Sequence, residues 1–312
     1  MVRETELLTI VRRRESLLRR LAAGPTRPCT LTAELELSRS TIDRGISELQ
    51  RAELIERTTV DGQCQYRLTV AGDLALSSFE QLSDRLTQVT RRSELLAELP
   101  PSADLSWQII DGATAVTPST PPAQVADSLS IGGVLELPEC DGGVGTERTN
   151  AEANTLEATL SVLLRLGKTH QVVVPGATHC LASAYCGALG DAESGETKRE
   201  PKSGIEVTVI APDDAIQSLL GAFGDGTASA LSAGQLVLRE TTQPPPYGLV
   251  CVELAEETVE TEATALTILL VCGADDEPCG LLVGDDQAAC EWARTRIASI
   301  AETAQRLSAP TE

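Results

Sequence analysis

Leu31-Thr-Ala-Glu-Leu-Glu-Leu-Ser-Arg-Ser-Thr-Ile-Asp-Arg-Gly-Ile-Ser-Glu-Leu-Gln50 is the stretch that decides the fold of this chain. Thr30, just before it, is a good N-cap for a short helix ending at Leu35, because its hydroxyl can accept from an unpaired first-turn N–H. Leu37-Ser38 makes a turn, with Ser38 placed to cap a second helix. There Ile42, Ile46 and Leu49 recur at i, i+4 and i+7, which defines a buried stripe. Gly45 lies inside this helix, where glycine costs about 1 kcal/mol relative to alanine. The opposite face carries Arg39, Ser40, Asp43, Arg44 and Ser47.

Downstream come Leu54-Ile-Glu-Arg57 and Asp61-Gly-Gln-Cys-Gln-Tyr-Arg-Leu-Thr69. Asp-Gly between two strand-like runs is a strong hairpin signal, so strands are expected at 54–58 and 64–69. Period-two alternation turns Cys64, Tyr66 and Leu68 to one side and Gln63, Gln65 and Arg67 to the other. Upstream, Leu7, Leu8, Ile10, Val11, Leu17, Leu18 and Leu21 mark a helix over 4–23 that ends at Gly24-Pro25. Its solvent side is expected to carry Arg12, Arg13, Arg14, Arg19 and Arg20. A long helical pattern follows from Thr69 to Leu99 and suits either pairing with its twin in a dimer or packing on its own domain.

A short helix, a tight turn, a second helix and a two-stranded ribbon spell a winged helix-turn-helix over residues 26–72. In such modules the N-terminal residues of the second helix meet base edges in the major groove of duplex DNA. Arg39 and Arg44 can bond guanine bidentately, and Ser40 and Thr41 suit phosphate or base contacts. Asp43 and Ser47 share their face, and Gln63, Gln65 and Arg67 of the wing can reach the backbone or minor groove. The alternative is a protein-interaction module whose helix face is simply solvated.

Charge supports the placement of nucleic acid at this end. The chain of 312 residues has a net charge of -21, yet residues 1–100 carry 15 basic and 15 acidic side chains. Residues 101–312 carry 10 and 31, so the second half repels polyanions. Aromatic residues are only 2% of the chain, and the basic residues are 22 Arg against three Lys (Lys168, Lys198, Lys202). The cores are therefore aliphatic. An acidic, Lys-poor composition resembles that of proteins from salt-in halophilic archaea, although a generically acidic protein has the same arithmetic.

Nine cysteines form no CxxC pair. With no signal peptide in view, reduced thiols in a cytoplasm are expected. The longest nearly apolar run, 263–274, is too short to span a bilayer.

The second half alternates helix and strand. Helices are expected at 152–166, 175–189, 212–223 and 285–307. Strands are expected at 170–174, 205–210, 235–238, 248–254, 264–272 and 279–283. The stretch 111–150 is rich in Gly, Pro, Thr and Ser and looks like a linker with loops, and 190–203 looks like a polar loop. Fold class is thus α/β (α+β overall): a winged helix-turn-helix domain at 1–100 and an acidic mixed-sheet α/β domain at 101–312.

His170, His179, Cys180 and Cys186 are the one cluster suited to a soft metal or thiol chemistry. Cys180, near a helix N-terminus, could have a lowered pKa. Their spacing fits no zinc pattern, and buried cysteines are usually small core residues. There is no GxSxG, P-loop, HExxH or helix-opening GxGxxG, and Gly142-Gly143-Val144-Gly145 lacks the strand and helix of a phosphate loop. Asp213-Asp214, Asp275-Asp276-Glu277 and Asp285-Asp286 fall at helix starts or in loops, where carboxylates complement the dipole. No catalytic residue, cofactor or metal is expected.

Leu37-Ser-Arg-Ser-Thr-Ile-Asp-Arg44, Glu48-Leu49, Leu54-Ile-Glu-Arg57 and Tyr66-Arg-Leu-Thr-Val-Ala-Gly72 are common to many winged helices. Leu99-Pro-Pro101, Asp111-Gly-Ala-Thr-Ala-Val-Thr-Pro-Ser119, Pro121-Pro122, Tyr247-Gly-Leu249, Cys279-Gly-Leu-Leu-Val-Gly-Asp-Asp286 and Glu291-Trp-Ala-Arg294 narrow the choice. With these the chain resembles archaeal winged-helix regulators whose C-terminal half is called the methanogenesis regulatory protein middle domain. The resemblance implies a transcriptional regulator that is not an enzyme, with double-stranded DNA and a second copy of itself as partners. It also implies an α/β half that senses an unknown small molecule or dimerises. Two alternatives stand beside it: a ligand-binding or enzymatic α/β domain that uses the winged helix for assembly, and a metal or thiol sensor.

Overall fold

Leucines and isoleucines at helical spacing assemble the first of two compact units, Met1–Thr90 and Arg91–Glu312. The computed structural model describes residues 4–60, 62–120, 125, 129, 148–177, 179–189, 205–232, 234–255, 263–273 and 277–307. The Gly142–Gly145 stretch, the 190–203 loop, Asp275, Asp276, Pro121, Pro122, Cys140 and most of the expected 111–150 linker lie outside them.

The first unit runs α1 (Glu4–Arg13), α2 (Glu15–Ala22), α3 (Pro28–Glu34), α4 (Arg39–Arg51), β1 (Ile55–Val60), β2 (Gln63–Leu68) and α5 (Val70–Arg91). Its core joins Leu17, Leu18 and Leu21 of α2 and Leu31 of α3 to Ile42, Ile46 and Leu49 of α4 and Leu76 of α5. The expected 4–23 helix is broken at Arg14, whose backbone leaves the helical region (φ -114, ψ 17). Arg14 is buried rather than on the solvent side, and its guanidinium pairs with Glu48 of α4 at 2.9 Å. Thr30 is not a cap either. The N-cap is Arg27 and helix α3 starts three residues earlier than expected, because Pro28 fits the first helical turn, where its missing N–H costs nothing.

Strands β1 and β2 pair antiparallel from Ile55↔Leu68 to Val60↔Gln63. This leaves Asp61-Gly62 as a two-residue link, with Gly62 at φ +76 and Asp61 outside the described residues. Thr26, ahead of α3, bonds Tyr66 in both directions at 2.9 Å and so adds a bridge to the hairpin. Thr69 ties the module together: its hydroxyl donates to the Glu53 carbonyl (2.8 Å) and accepts from Gly72 N (3.0 Å). A Cβ at Gly72 would fall 2.0 Å from the Leu54 carbonyl oxygen, so only glycine permits this approach.

The second unit continues with α6 (Ser93–Ala97), α7 (Trp107–Ile110), β3 (Thr114–Val116), α8 (Arg148–Arg165), β4 (Gly167–Val173), α9 (His179–Leu189), β5 (Glu206–Ala211) and α10 (Asp213–Ser232). It closes with β6 (Leu236–Glu240), β7 (Gly248–Leu254), β8 (Ala265–Cys272), β9 (Pro278–Gly284), α11 (Gln287–Thr303) and β10 (Gln305–Arg306). The expected helix 69–99 is therefore two helices, broken at Arg92. Residues 91–100 group with the second unit, where Leu95 is buried.

The eight strands form one mixed sheet in the order β10-β6-β5-β4-β7-β8-β9-β3. Strands β4, β5 and β6 are parallel and joined through α9 and α10, as parallel neighbours require. Strands β7, β8 and β9 are an antiparallel meander. Leu160 and Leu163 of α8, Ala184 of α9 and Ile216 of α10 cover one face, over Val172, Val209, Val250 and Ile268. Ile109 of α7 with Ala293 and Ile297 of α11 cover the other, over Val173, Ile210, Leu249 and Leu269. With both faces covered, β8 is buried at every position, which accounts for a run that is apolar everywhere but at Thr267. Asp286 caps α11 by accepting from Ala288 N and Ala289 N (3.0 and 3.2 Å). Among the described residues no helix is long and apolar enough to cross a membrane.

Candidate nucleic-acid interface

Helix α4 is presented by a turn in which Glu36 takes a left-handed conformation (φ 52), a region that glycine occupies more readily. Ser38 caps the helix through Thr41 N (3.2 Å), and its hydroxyl also meets those of Ser40 (3.0 Å) and Thr41 (2.8 Å). Ile42, Gly45, Ile46 and Leu49 form the buried face. Gly45 has a reason to be there: a Cβ would stand 2.6 Å from Leu17 Cδ1, so its small size sets how closely α4 packs on α2. Arg39, Ser40, Asp43, Arg44 and Ser47 are all exposed, and Thr41 is half-buried at their edge.

Each arginine on this face has a carboxylate one turn ahead, and the two are treated differently. Arg39 and Asp43 form a loose exposed contact, Nε to Oδ2 at 3.9 Å. Glu48, one turn beyond Arg44, is drawn inward by Arg14. The Arg14 hydrogen bond holds its carboxyl below the usual carboxylate range. Arg44 is exposed and makes no ion pair among the described residues, although its charge also helps to lower the Glu48 carboxyl. Ser47 spends its hydroxyl on the Asp43 carbonyl at 2.9 Å.

On the hairpin, Gln63 and Arg67 are exposed and Gln65 is half-buried. Arg67 is held by Glu56 of β1, Nη2 to Oε1 at 2.6 Å. Tyr66 and Leu68 pack on the core, while Cys64 accepts from Arg57 Nε at 2.9 Å. Burial, first of all, raises the Tyr66 phenol, with the Cys64 and Asp43 charges adding to it. Sequence spacing gave no sign of the Arg14–Glu48 pair. The one available signal was Glu48 itself, a carboxylate at the edge of an otherwise apolar stripe.

The cysteine and histidine cluster of the second unit does not converge. His170 is wholly buried under α9, its ring 5.6 Å from that of Tyr185. His179 is exposed at the start of α9. The backbone N–H groups of His179 and Cys180 donate to the two oxygens of Glu277 (2.7 and 3.2 Å), so a carboxylate already sits on this helix N-terminus. The Cys180 thiol is pushed up to about 12, by burial first and then by Glu277 and Glu157. This is the reverse of the lowered value expected for a helix start. The Cys186 side chain lies outside the described residues. Among those described, no group of three or more His, Cys, Asp or Glu is arranged to hold a metal ion.

Residues 2–99 match the model of the HVO_A0261 N-terminal domain. Residues 195–303 match that of the middle domain of the methanogenesis regulatory protein FilR1. No curated protein matches the chain. Among solved structures, the chain is similar to TrmBL2, described as an archaeal chromatin protein with a novel mode of DNA binding. That likeness has 10% identity and a TM-score of 0.33 over 98% of this chain and 100% of that one. The chain thus carries a stretch similar to the HVO_A0261 N-terminal domain, followed by one similar to the FilR1 middle domain.

Proposed function

We propose that this protein is a DNA-binding transcriptional regulator of the cytoplasm, acting as a homodimer on a two-fold symmetric site. In this reading residues 26–72 are a winged helix-turn-helix, with α4 in the major groove and β1–β2 as the wing. The observation that carries it is the division of α4: one face locks into the core, and the other presents Arg39, Ser40, Asp43, Arg44 and Ser47 to solvent. Helix N-termini and hydroxyls suit phosphates, and a free arginine fork suits guanine. The family of the C-terminal region is named for a regulator, which agrees with a second unit that senses a small molecule or dimerises.

Residues 1–90 carry 13 basic and 13 acidic side chains. Arg39 and Arg67 each stand beside a carboxylate. Counterion release therefore contributes less than in a basic domain, and directed contacts contribute more. Mobility shifts with genomic fragments test this. Arg44→Ala is expected to weaken binding by about 1–3 kcal/mol, and Arg39→Ala with Arg44→Ala to remove specific retention. The affinity of the full chain is expected to fall only shallowly with added KCl. Unchanged retention by the double variant would show that α4 is not the reading helix.

A further inference from the structure

A carboxylate in the middle of a helix that faces phosphates is an electrostatic liability, and Asp43 is such a group. Its side chain is 59% exposed and that of its one ionic neighbour, Arg39, is 86% exposed. The contact between them, a single Nε to Oδ2 approach at 3.9 Å, is longer than a charge-assisted hydrogen bond. The Nη fork of Arg39 is not used in it. Asp43 therefore does not hold Arg39 in place, and its own oxygens have no side-chain donor among the described residues.

The major groove offers a carboxylate few partners. Guanine presents only the acceptors N7 and O6, and thymine the acceptor O4 with a methyl group, so both repel it. Adenine presents its N6 amino group beside the acceptor N7, which opposes the second carboxylate oxygen. Cytosine presents the N4 amino donor with no acceptor next to it on its own edge.

Resting on the DNA-binding reading above, we propose that Asp43 is a specificity-determining residue that accepts from the N4 amino group of a cytosine in each half-site. Arg39, one helical turn nearer the N-terminus, lies next to it with its fork free for a neighbouring guanine. Asp43 so converts a cost paid on every sequence into discrimination against three of the four bases at one position.

Selection of binding sites from a randomised duplex pool, using the full-length chain, tests the assignment. The wild-type protein is expected to select cytosine at one position of each half-site, by about ten-fold or more over other bases. Asp43→Ala is expected to lose that preference while keeping the rest of the motif. Asp43→Asn is expected to move it toward adenine, whose N6 and N7 match an amide. A uniform rise in affinity for all duplexes, with the selected motif unchanged, would overturn the proposal and reduce Asp43 to a neutraliser of Arg39. A wild-type chain that selects no motif, with affinity indifferent to Arg44→Ala, would remove the DNA-binding reading itself. Both substitutions are at an exposed position, and unchanged circular dichroism confirms that each variant folds.

Discussion

Two buried polar side chains, Arg14 in the first unit and His170 in the second, are handled in opposite ways, while Arg92 and Thr241 of the second unit are partnered. In the first, both buried polar residues are partnered: Arg14 by Glu48, and Thr26 by the Gly24 carbonyl and Arg20. In the second, His170 is wholly buried with no side-chain partner; only the backbone at Gly167 and Leu164 lies against its ring, and the Tyr185 hydroxyl beside it has no hydrogen-bond partner. The difference follows the size of the cores. Among the described residues eleven buried hydrophobic side chains form the core of the first unit, and so small a core has little surplus against an unpaired buried polar group. The larger cluster on the α8–α9–α10 face of the second unit has 27. It can carry an uncompensated group so long as that group stays neutral.

The strongest test of this contrast is acid. Burial pushes the His170 imidazole down to about 4, whereas an unfolded chain titrates near 6.5. Above pH 6.5 the ring is neutral in both states and adds no pH dependence. Between 6.5 and 4 the unfolded chain takes up a proton that the folded one refuses. Stability then falls by about 1.4 kcal/mol per pH unit, for a total of about 3 kcal/mol. Urea unfolding of wild type and His170→Leu at pH 7, 5.5 and 4.5 isolates the effect, because the acidic side chains are common to both. The variant is expected to lose this part of the slope. Equal slopes would mean that His170 takes up its proton in the folded state, and the contrast between Arg14 and His170 would collapse.

A smaller effect is expected when the partnered pair is broken. Arg14→Met leaves Glu48 half-buried and without its partner, at a cost of about 2 kcal/mol. This is below the range for fully buried pairs because the Glu48 side chain is 21% exposed. Adding Glu48→Leu is expected to recover much of that loss, since the pair itself contributes less than its rupture costs. Thermal unfolding of the two single variants and the double one gives the coupling. Arg14→Met also frees Glu48 to reach Arg44, so DNA affinity is expected to drop even where the variant is fully folded. No change in affinity would show that Arg14 serves packing alone.

These pairs mark where the sequence stops being readable. The stripe Ile42, Ile46, Leu49 and the cap at Ser38 follow from local period and local hydrogen bonding, and so does the run that becomes β8. The mixed α/β sheet was likewise legible from alternating elements. Three short pieces were not: α7, β3 and β10 are four, three and two residues long. None is long enough to show a period, and the sheet edge rather than propensity makes β3 and β10. The breaks at Arg14 and Arg92 were hidden for another reason. Arginine favours helices, and only a distant acceptor turns each of these inward: Glu48 for Arg14 and the Ala113 carbonyl for Arg92. On α4 the exposed face was readable. Which carboxylate answers which arginine was not, because Glu48 chooses between a neighbour on its own helix and one on α2.

The least effect is expected where the backbone of the first unit is strained. Its core is fully partnered, but its backbone is not at rest: Glu36 and Glu53 stand at φ 52 and 59, before and after α4. For an L-residue the left-handed conformation costs roughly 1–2 kcal/mol, and glycine avoids this while losing some unfolded-state entropy. Glu36 is exposed and has no side-chain bond among the described residues, so the net gain from Glu36→Gly is about 1 kcal/mol. Thermal unfolding across Gly, Asn, Ala and Glu at this position separates conformation from charge. If φ governs, the order of stability is Gly, then Asn, with Ala close to Glu, because only the first two enter this region easily. If relief of negative charge governs, Ala and Asn rise together with Gly. The first result would place the tolerated strain of this unit in the backbone that aims α4, and the second would place it in the surface charge.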